Sequence, residues 1–336
     1  MKLHRSYRLR LLRKKWQLRT WRKRHDLKLV QLGAGAADRD GIFVFSTLRN
    51  ERRRLPYFLD YYRKLGITQF FIVDNQSSDG TADYLMAQPD VSLWYTEASY
   101  KHAKYGVLWM NLLLRKFGSN HWCLNVDCDE FLVYPHVTKR PIRALTDWLD
   151  ARSMRTFPAM LLDMYAKENL EDIDHKTGQN PFDILKYFDS GNYTQRHGGQ
   201  YGNLWIQGGP RQRAFFADSP GKAPALNKIP LVKWKSSYVY TSSTHSLLPR
   251  SLNVTFDNVG GEKISGCLLH SKFLPDLNAK VSEELNRQQH YAESQEYLAY
   301  NHGAGPKLNF WTTHSTRFKS WQQLEDLGLM SSGGWA

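Results

Sequence analysis

The chain moves between continuous apolar runs and polar breaks, and several runs end in charged or hydroxyl residues. Ile42-Phe43-Val44-Phe45 breaks into Ser46-Thr47-Leu48-Arg49-Asn50-Glu51, and Phe70-Phe71-Ile72-Val73 breaks into Asp74-Asn75-Gln76-Ser77-Ser78-Asp79-Gly80-Thr81. Apolar β-rich runs without alternation predict strands of a parallel sheet covered on both faces. Between them, Leu55 to Gly66 predicts a helix, with Pro56 in the first turn and Gly66 as the stop. Ser78 or Asp79 caps a second helix through about Met86, ahead of the strand Val91–Tyr95. The result is a βαβαβ unit whose polar loops share one edge, where open α/β sheets bind ligands.

A further run, His121-Trp122-Cys123-Leu124, opens into Asn125-Val126-Asp127-Cys128-Asp129-Glu130-Phe131. On extended backbone, Asp127 and Asp129 would face one side and Cys128 the core. Their hard oxygens suit Mn²⁺ or Mg²⁺, which in turn binds a diphosphate. A solvated acidic turn is the competing reading. Phe157–Tyr165 then reads as a strand carrying Asp163 near its end, and 172–209 as a long loop-rich stretch. Gly208-Gly209-Pro210-Arg211-Gln212-Arg213 opens a strand on which Arg211 and Arg213 share a side, as phosphate or acceptor ligands or as surface arginines. Gly266-Cys267-Leu268-Leu269 ends at His270, with Lys272 on the same face. There His270 would complete a metal shell with Asp127 and Asp129, while Lys272 reaches the diphosphate. His245 reads as structural as readily as functional. Residues 276–300 predict a helix, with His290 and Tyr291 as structural positions, and 301–336 show no period.

Val73-Asp74-Asn75 with Ser77-Ser78-Asp79-Gly80-Thr81, preceded by Arg49-Asn50-Glu51 and followed by Asp127-Cys128-Asp129-Glu130-Phe131, resembles glycosyltransferase family 2. The resemblance is closest to its bacterial branch akin to family 92, and it spans roughly residues 41–275. It implies a GT-A fold: a Rossmann-like nucleotide-sugar half (41–135) and a mixed-sheet acceptor half (136–275); beyond it the residues themselves read as a helical tail (276–336). It further implies that Asp74 contacts the base or ribose and that Ser46, Leu48, Arg49 and Asn50 line the nucleotide pocket. Lys104, Gly106 and Asn111 stand where the family has a basic residue and an Asn before the DxD strand. The implied activity is metal-dependent hexosyl transfer from a nucleotide-diphosphate donor, first of all a UDP-sugar, to a glycan or lipid-linked acceptor in surface-polysaccharide synthesis. Inverting transfer would need a carboxylate near the sugar to deprotonate the acceptor hydroxyl, for which Asp163 and Glu168 come first and Asp257 and Glu262 second, while retaining transfer stays open.

Composition narrows the alternatives. With 336 residues and 41% hydrophobic content the chain can bury a large core. Cys123, Cys128 and Cys267 show no metal-ligand spacing and are expected as free thiols in a reducing compartment. No run of about 18 apolar residues predicts a membrane span, and the N-terminus lacks a signal-peptide core. Of the net charge of +14, residues 1–28 carry +11, with 12 Lys and Arg against Asp26. Leu3, Tyr7, Leu11, Leu18 and Trp21 fall on one helical arc, with Lys14 interrupting it and Trp16 off it. Such a helix reads as an anchor on an anionic membrane surface, and places the protein on the cytoplasmic face with no nucleic-acid partner. A nucleic-acid arm and a solvated tail compete with it, and 31–40 reads as a linker. A nucleotidyltransferase would want a Gly-rich phosphate loop where Ser46–Glu51 has none. A non-catalytic sugar-nucleotide-binding module would want its acids lost, and they are present.

Overall fold

The computed structural model describes residues 2–255, 263–287 and 308–336. Asp257, Glu262, His290 and Tyr291 lie outside them. The chain opens with α1 (Lys2–Arg22) and the short strand β1 (Lys28–Gln31). The alternating unit follows as β2 (Ile42–Leu48), α2 (Leu55–Leu65), β3 (Gln69–Asp74), α3 (Thr81–Met86), β4 (Val91–Tyr95), α4 (Val107–Phe117) and β5 (Trp122–Asn125). Next come β6 (Glu130–Val133), α5 (Ile142–Ala151), β7 (Thr156–Asp163), β8 (Tyr187–Phe188) and the hairpin β9 (Tyr193–Gly198) and β10 (Asn203–Gly208). After α6 (Gly209–Phe215) come β11 (Asn227–Lys233), the hairpin β12 (Val239–Ser242) and β13 (Ser246–Leu248), and β14 (Gly266–His270). The described chain ends with α7 (Leu277–Arg287), β15 (Thr316–Arg317) and α8 (Trp321–Asp326).

One nine-stranded sheet runs through the molecule in the order β1-β4-β3-β2-β5-β11-β7-β14-β6. The block β4-β3-β2-β5 is parallel, and β11 joins it antiparallel to β5, which makes the second half mixed, as expected. Alternation divides the core between the two faces. Ile42 and Val44 pack with Leu55, Phe58 and Tyr62 of α2, and Phe43 and Phe45 pack with Trp109 and Leu113 of α4. From β2 the chain adds β3 and β4 on one side and then returns to place β5 on the other. That reversal opens a crevice at the carboxyl ends of β2 and β5. Arg49 follows one strand and Asp127 the other.

Three expectations about elements are corrected. The stretch 31–40 is not a free linker: Gln31 ends β1, which pairs with β4, and the Gly33 amide donates to Ser92. Arg211 and Arg213 do not lie on a strand. Gly208 and Gly209 turn the chain with positive φ, and Pro210 in the first turn starts α6. Residues two apart on a helix diverge, so these arginines share no face. The C-terminal stretch, featureless in sequence, returns Trp321, Leu324, Met330 and Trp335 to the core that holds α2. Among the described residues no helix is long and apolar enough to cross a membrane.

Candidate active site

At the crevice lies a cleft of about 280 Å³ bordered by Leu48, Arg49, Asp127, Asp129, His270 and Lys280. A second cavity of about 110 Å³ adjoins it, bordered by Tyr105, Gly106, Lys228 and Tyr240. Thr47, Tyr100 and Asp127 border both. The acids stand on a turn and not on extended backbone, because β5 ends at Asn125 and Glu130 already begins β6. Asp127 and Asp129 therefore diverge, while Cys128 is buried as expected. All three cysteines are unpaired and buried.

Asp129 meets His270. The parallel register of β14 with β7 sets His270 beside Asp163, and the Ser271 amide donates to the Asp129 carbonyl at 2.8 Å. The imidazole then stands between two carboxylates, Nδ1 at 2.6 Å from Asp163 Oδ1 and Nε2 at 3.3 Å from Asp129 Oδ2. The other oxygen of Asp163 accepts from Arg211 Nε at 2.7 Å. Burial disfavours the charge on both acids, but Arg211 and His270 for Asp163, and His270, Arg54 and Lys280 for Asp129, hold them ionised and below the usual carboxylate range. Burial alone would lower the His270 pKa, but the two carboxylates outweigh it and raise it to about 9.

Asp127 turns the other way. Lys228, 6% exposed, binds Glu130 at 2.8 Å and lies 3.9 Å from Asp127. The crowded cleft floor and the Glu130 carboxylate push the Asp127 carboxyl up, against the pull of Lys228. Its side chain still opens 58% of its surface to the cleft, so water there moderates the effect of the surrounding protein. Among the described residues no three His, Cys, Asp or Glu side chains converge as a ready metal cage. The pair that does converge is Asp129 and His270.

The opposite wall is cationic and latched to α7. Arg54, 4% exposed, holds Glu51 at 3.1 Å and takes both oxygens of Asp276, and Lys280 bridges Glu51 and Asp276. Glu283, a turn further on, accepts from Arg49 Nε at 2.6 Å and from Asn50 Nδ2 at 3.2 Å. Lys272 borders the same cleft. The smaller cavity is shaped by three successive positive φ values, 54° at Lys104, 58° at Tyr105 and 76° at Gly106. A Cβ on Gly106 would stand 3.0 Å from Tyr100 and 3.2 Å from the Thr47 hydroxyl.

Several residues singled out by sequence serve the fold in this structure. Asp74 is buried behind the cleft and accepts from the backbone and hydroxyl of Ser77, so it caps a turn, and burial pushes its carboxyl up. Ser46 is buried at the end of β2 and borders neither cavity. Asn111 clamps the backbone of Tyr240 at 2.8 and 2.9 Å, and Lys104 is an exposed turn residue that borders neither cavity. Arg213 holds Asp189, and Arg211 holds Asp163, so neither is placed for a phosphate. Asp163 is 2% exposed with both oxygens engaged, which makes it a positioning group for His270 and not an open base. Glu168 is exposed on a bend away from the cleft lining. His245 is structural: its Nδ1 lies 2.6 Å from the Asn227 carbonyl. Lys228, Arg54, Lys280 and Glu283 were missed, although a lysine inside the apolar run Asn227–Val232 was a legible signal of a buried charge.

No known protein-family profile matches the chain. An alignment 100 positions long, covering 27% of this chain, is 30% identical to a glycosyltransferase family 92 protein of Oryza sativa subsp. japonica, and spans only 16% of that relative. Solved structures of low similarity include a UTP-bound UGPase from Acinetobacter baumannii (10% identity, 79% of this chain and all of that one, TM-score 0.29). Another is a 4-diphosphocytidyl-2C-methyl-D-erythritol synthase from Anaerococcus prevotii (14% identity, 42% and 63%, TM-score 0.24). At those scores neither structure carries an argument about activity. The chain is a mixed α/β protein with a Rossmann-like half, and over one short stretch it is similar in sequence to a glycosyltransferase.

Proposed function

We propose that this chain is a metal-dependent glycosyltransferase that moves a sugar from a nucleotide-diphosphate donor to a glycan or lipid-linked glycan. The observation that carries the reading is the Asp163–His270–Asp129 line at the crevice where β2 and β5 part. Asp163 holds the Nδ1 proton of His270 and leaves Nε2 directed at a carboxylate, the arrangement in which an outer carboxylate orients a metal-binding imidazole. Asp129 and His270 would hold Mn²⁺ or Mg²⁺, with Asp127 across the same cleft. The ion would neutralise charge on a departing diphosphate.

The chain's own residues supply the rest. Arg49, Lys272 and Lys280 border the cleft as cations for an anionic donor. Thr47 and Asp127, which border both cavities, stand where a donor in the larger cleft would meet a group in the smaller one. Uridine is the base to test first, with Asn75 and the Leu48-Arg49 loop at the cleft edge.

Hydrolysis of a panel of UDP-sugars with Mn²⁺ and no acceptor tests the reading. Release of UDP and free sugar, lost in Asp129→Ala, is the expected result. Release of UMP and sugar 1-phosphate would indicate nucleotidyl chemistry, and binding without turnover would indicate a module without catalysis.

A further inference from the structure

Helix α1 has two apolar faces. Trp16, 8% exposed, packs with Leu9 and Leu12 against the core that contains α4, and Thr20 beside it is 2% exposed. The docking is reinforced by Gln17 donating to the Ser237 carbonyl at 3.0 Å and by the Trp109 indole donating to Asp26 at 3.1 Å. On the opposite side stand Tyr7, Leu11, Leu18 and Trp21, 62%, 49%, 47% and 52% exposed. Their spacings of four, seven and three keep them on one stripe at roughly 100° per residue. The same turn angle puts Trp16 about half a turn away, so one helix cannot bury both sets in the same body.

Exposed cations flank the outward stripe at Arg8, Arg10, Lys15 and Arg22, and Lys14 interrupts it. The guanidinium of Arg24 lies 3.7 Å from the centroid of Trp21, which keeps that ring paired with a charge at the surface. A loose tail would have no reason to bury Trp16, and an arm for phosphates alone would have no reason to present leucine and tryptophan. An apolar stripe edged by cations matches a layer that is apolar within and anionic at its surface.

We propose that α1 is a rigid docking plank for an anionic lipid surface, held to the protein by the Trp16 face and inserted through the Tyr7–Trp21 stripe. It is not a hinged anchor. It packs on α4 and β12, whose Val107, Met110 and Tyr240 border the smaller cavity, so the plank would hold that cavity in a set relation to the lipid. The proposal does not depend on the transferase reading.

The test uses the full chain and three vesicle preparations: phosphatidylcholine alone, with phosphatidylglycerol, and the latter in high salt. Wild type should sediment with the anionic vesicles, not with the neutral ones, and should release as salt screens the charges. Leu18→Ser/Trp21→Ser and Lys14→Gln/Lys15→Gln should each weaken binding by roughly tenfold or more. Their thermal midpoints and circular dichroism should match wild type, because all four side chains are exposed. Failure of wild type to bind anionic vesicles, or binding unchanged in both variants, would overturn the proposal. So would a dimer that the same variants dissociate, or preference for single-stranded RNA over vesicles. Donor hydrolysis in solution reads the transferase assignment separately, since it needs no lipid.

Discussion

His270 and the carboxylates around it make charge state the central question for single residues. Its pKa, lowered by burial but raised more strongly by Asp129 and Asp163, stands at about 9 against about 6.5 in an unfolded chain. The stabilisation from the charged imidazole is therefore fully present below about pH 6.5 and lost as pH rises through about 9. In metal-free protein, wild type should lose stability between pH 7 and 9 more steeply than His270→Gln, measured as urea midpoints. Equal slopes would show that the ring is neutral. Asp163 is the harsher site. Asp163→Ala leaves the buried Arg211 without its carboxylate and should cost about 3 kcal/mol. Glu168→Ala, exposed and away from the cleft, should change neither stability nor turnover.

Two helices decide how the site is enclosed. The start of α7 is held by Asp276, whose carboxyl is raised by burial but lowered more by Arg54 and Lys280, to about 2. That contribution is present above its ordinary value of 3.8 and is lost as pH falls toward about 2. Asp276→Asn should lower stability at neutral pH by about 3 kcal/mol and flatten the acid limb of the stability curve. Hydrogen exchange should show faster opening of Leu277–Arg287, and an unchanged exchange pattern would mean that α7 is held by its apolar contacts alone. At the other end of the chain, Trp16→Ala removes a buried indole from the core beneath α1. It should cost about 3 kcal/mol, whereas Trp21→Ser should cost almost nothing. That contrast distinguishes a docked helix from a tail.

On the scale of the whole molecule, ligands should couple to folding through the cleft. A ligand that binds only the native state adds about 2.7 kcal/mol at a hundredfold excess over its dissociation constant. Mn²⁺ with UDP should therefore raise the thermal midpoint of wild type, and Asp129→Ala should abolish the increment. A gain that survives this substitution would place the nucleotide or the ion elsewhere. Charge is also a property of the whole: α1 and its flanks carry +11 of the net +14. Salt should consequently affect surface association far more than donor turnover in the partly enclosed cleft.

Local pattern alone determined the Rossmann-like half. Apolar runs, Pro56, Gly66 and the break after Val73 specify strands and helices by interactions between near neighbours, and β2 to β5 form where the periodicity placed them. Asp129 and His270 were also legible as candidates, Asp129 from the acidic cluster that follows the apolar run to Leu124 and His270 as the polar end of its own run. That His270 approaches Asp129 was expected, but the other partners of these groups were not legible. Asp163 became the partner of His270 through the register of β7 with β14, and Asp127 turned to Lys228 because β5 ends before it. Arg211 was drawn inward once Pro210 had started a helix, and Arg54, Lys280 and Glu283 became cleft residues only because α7 returns to the sheet edge. The two faces of α1 follow the same division. Its helical period is written in the sequence, but which apolar stripe is buried depends on the distant surface of α4, and only tertiary packing assigns Trp16 to the protein and Trp21 to the outside.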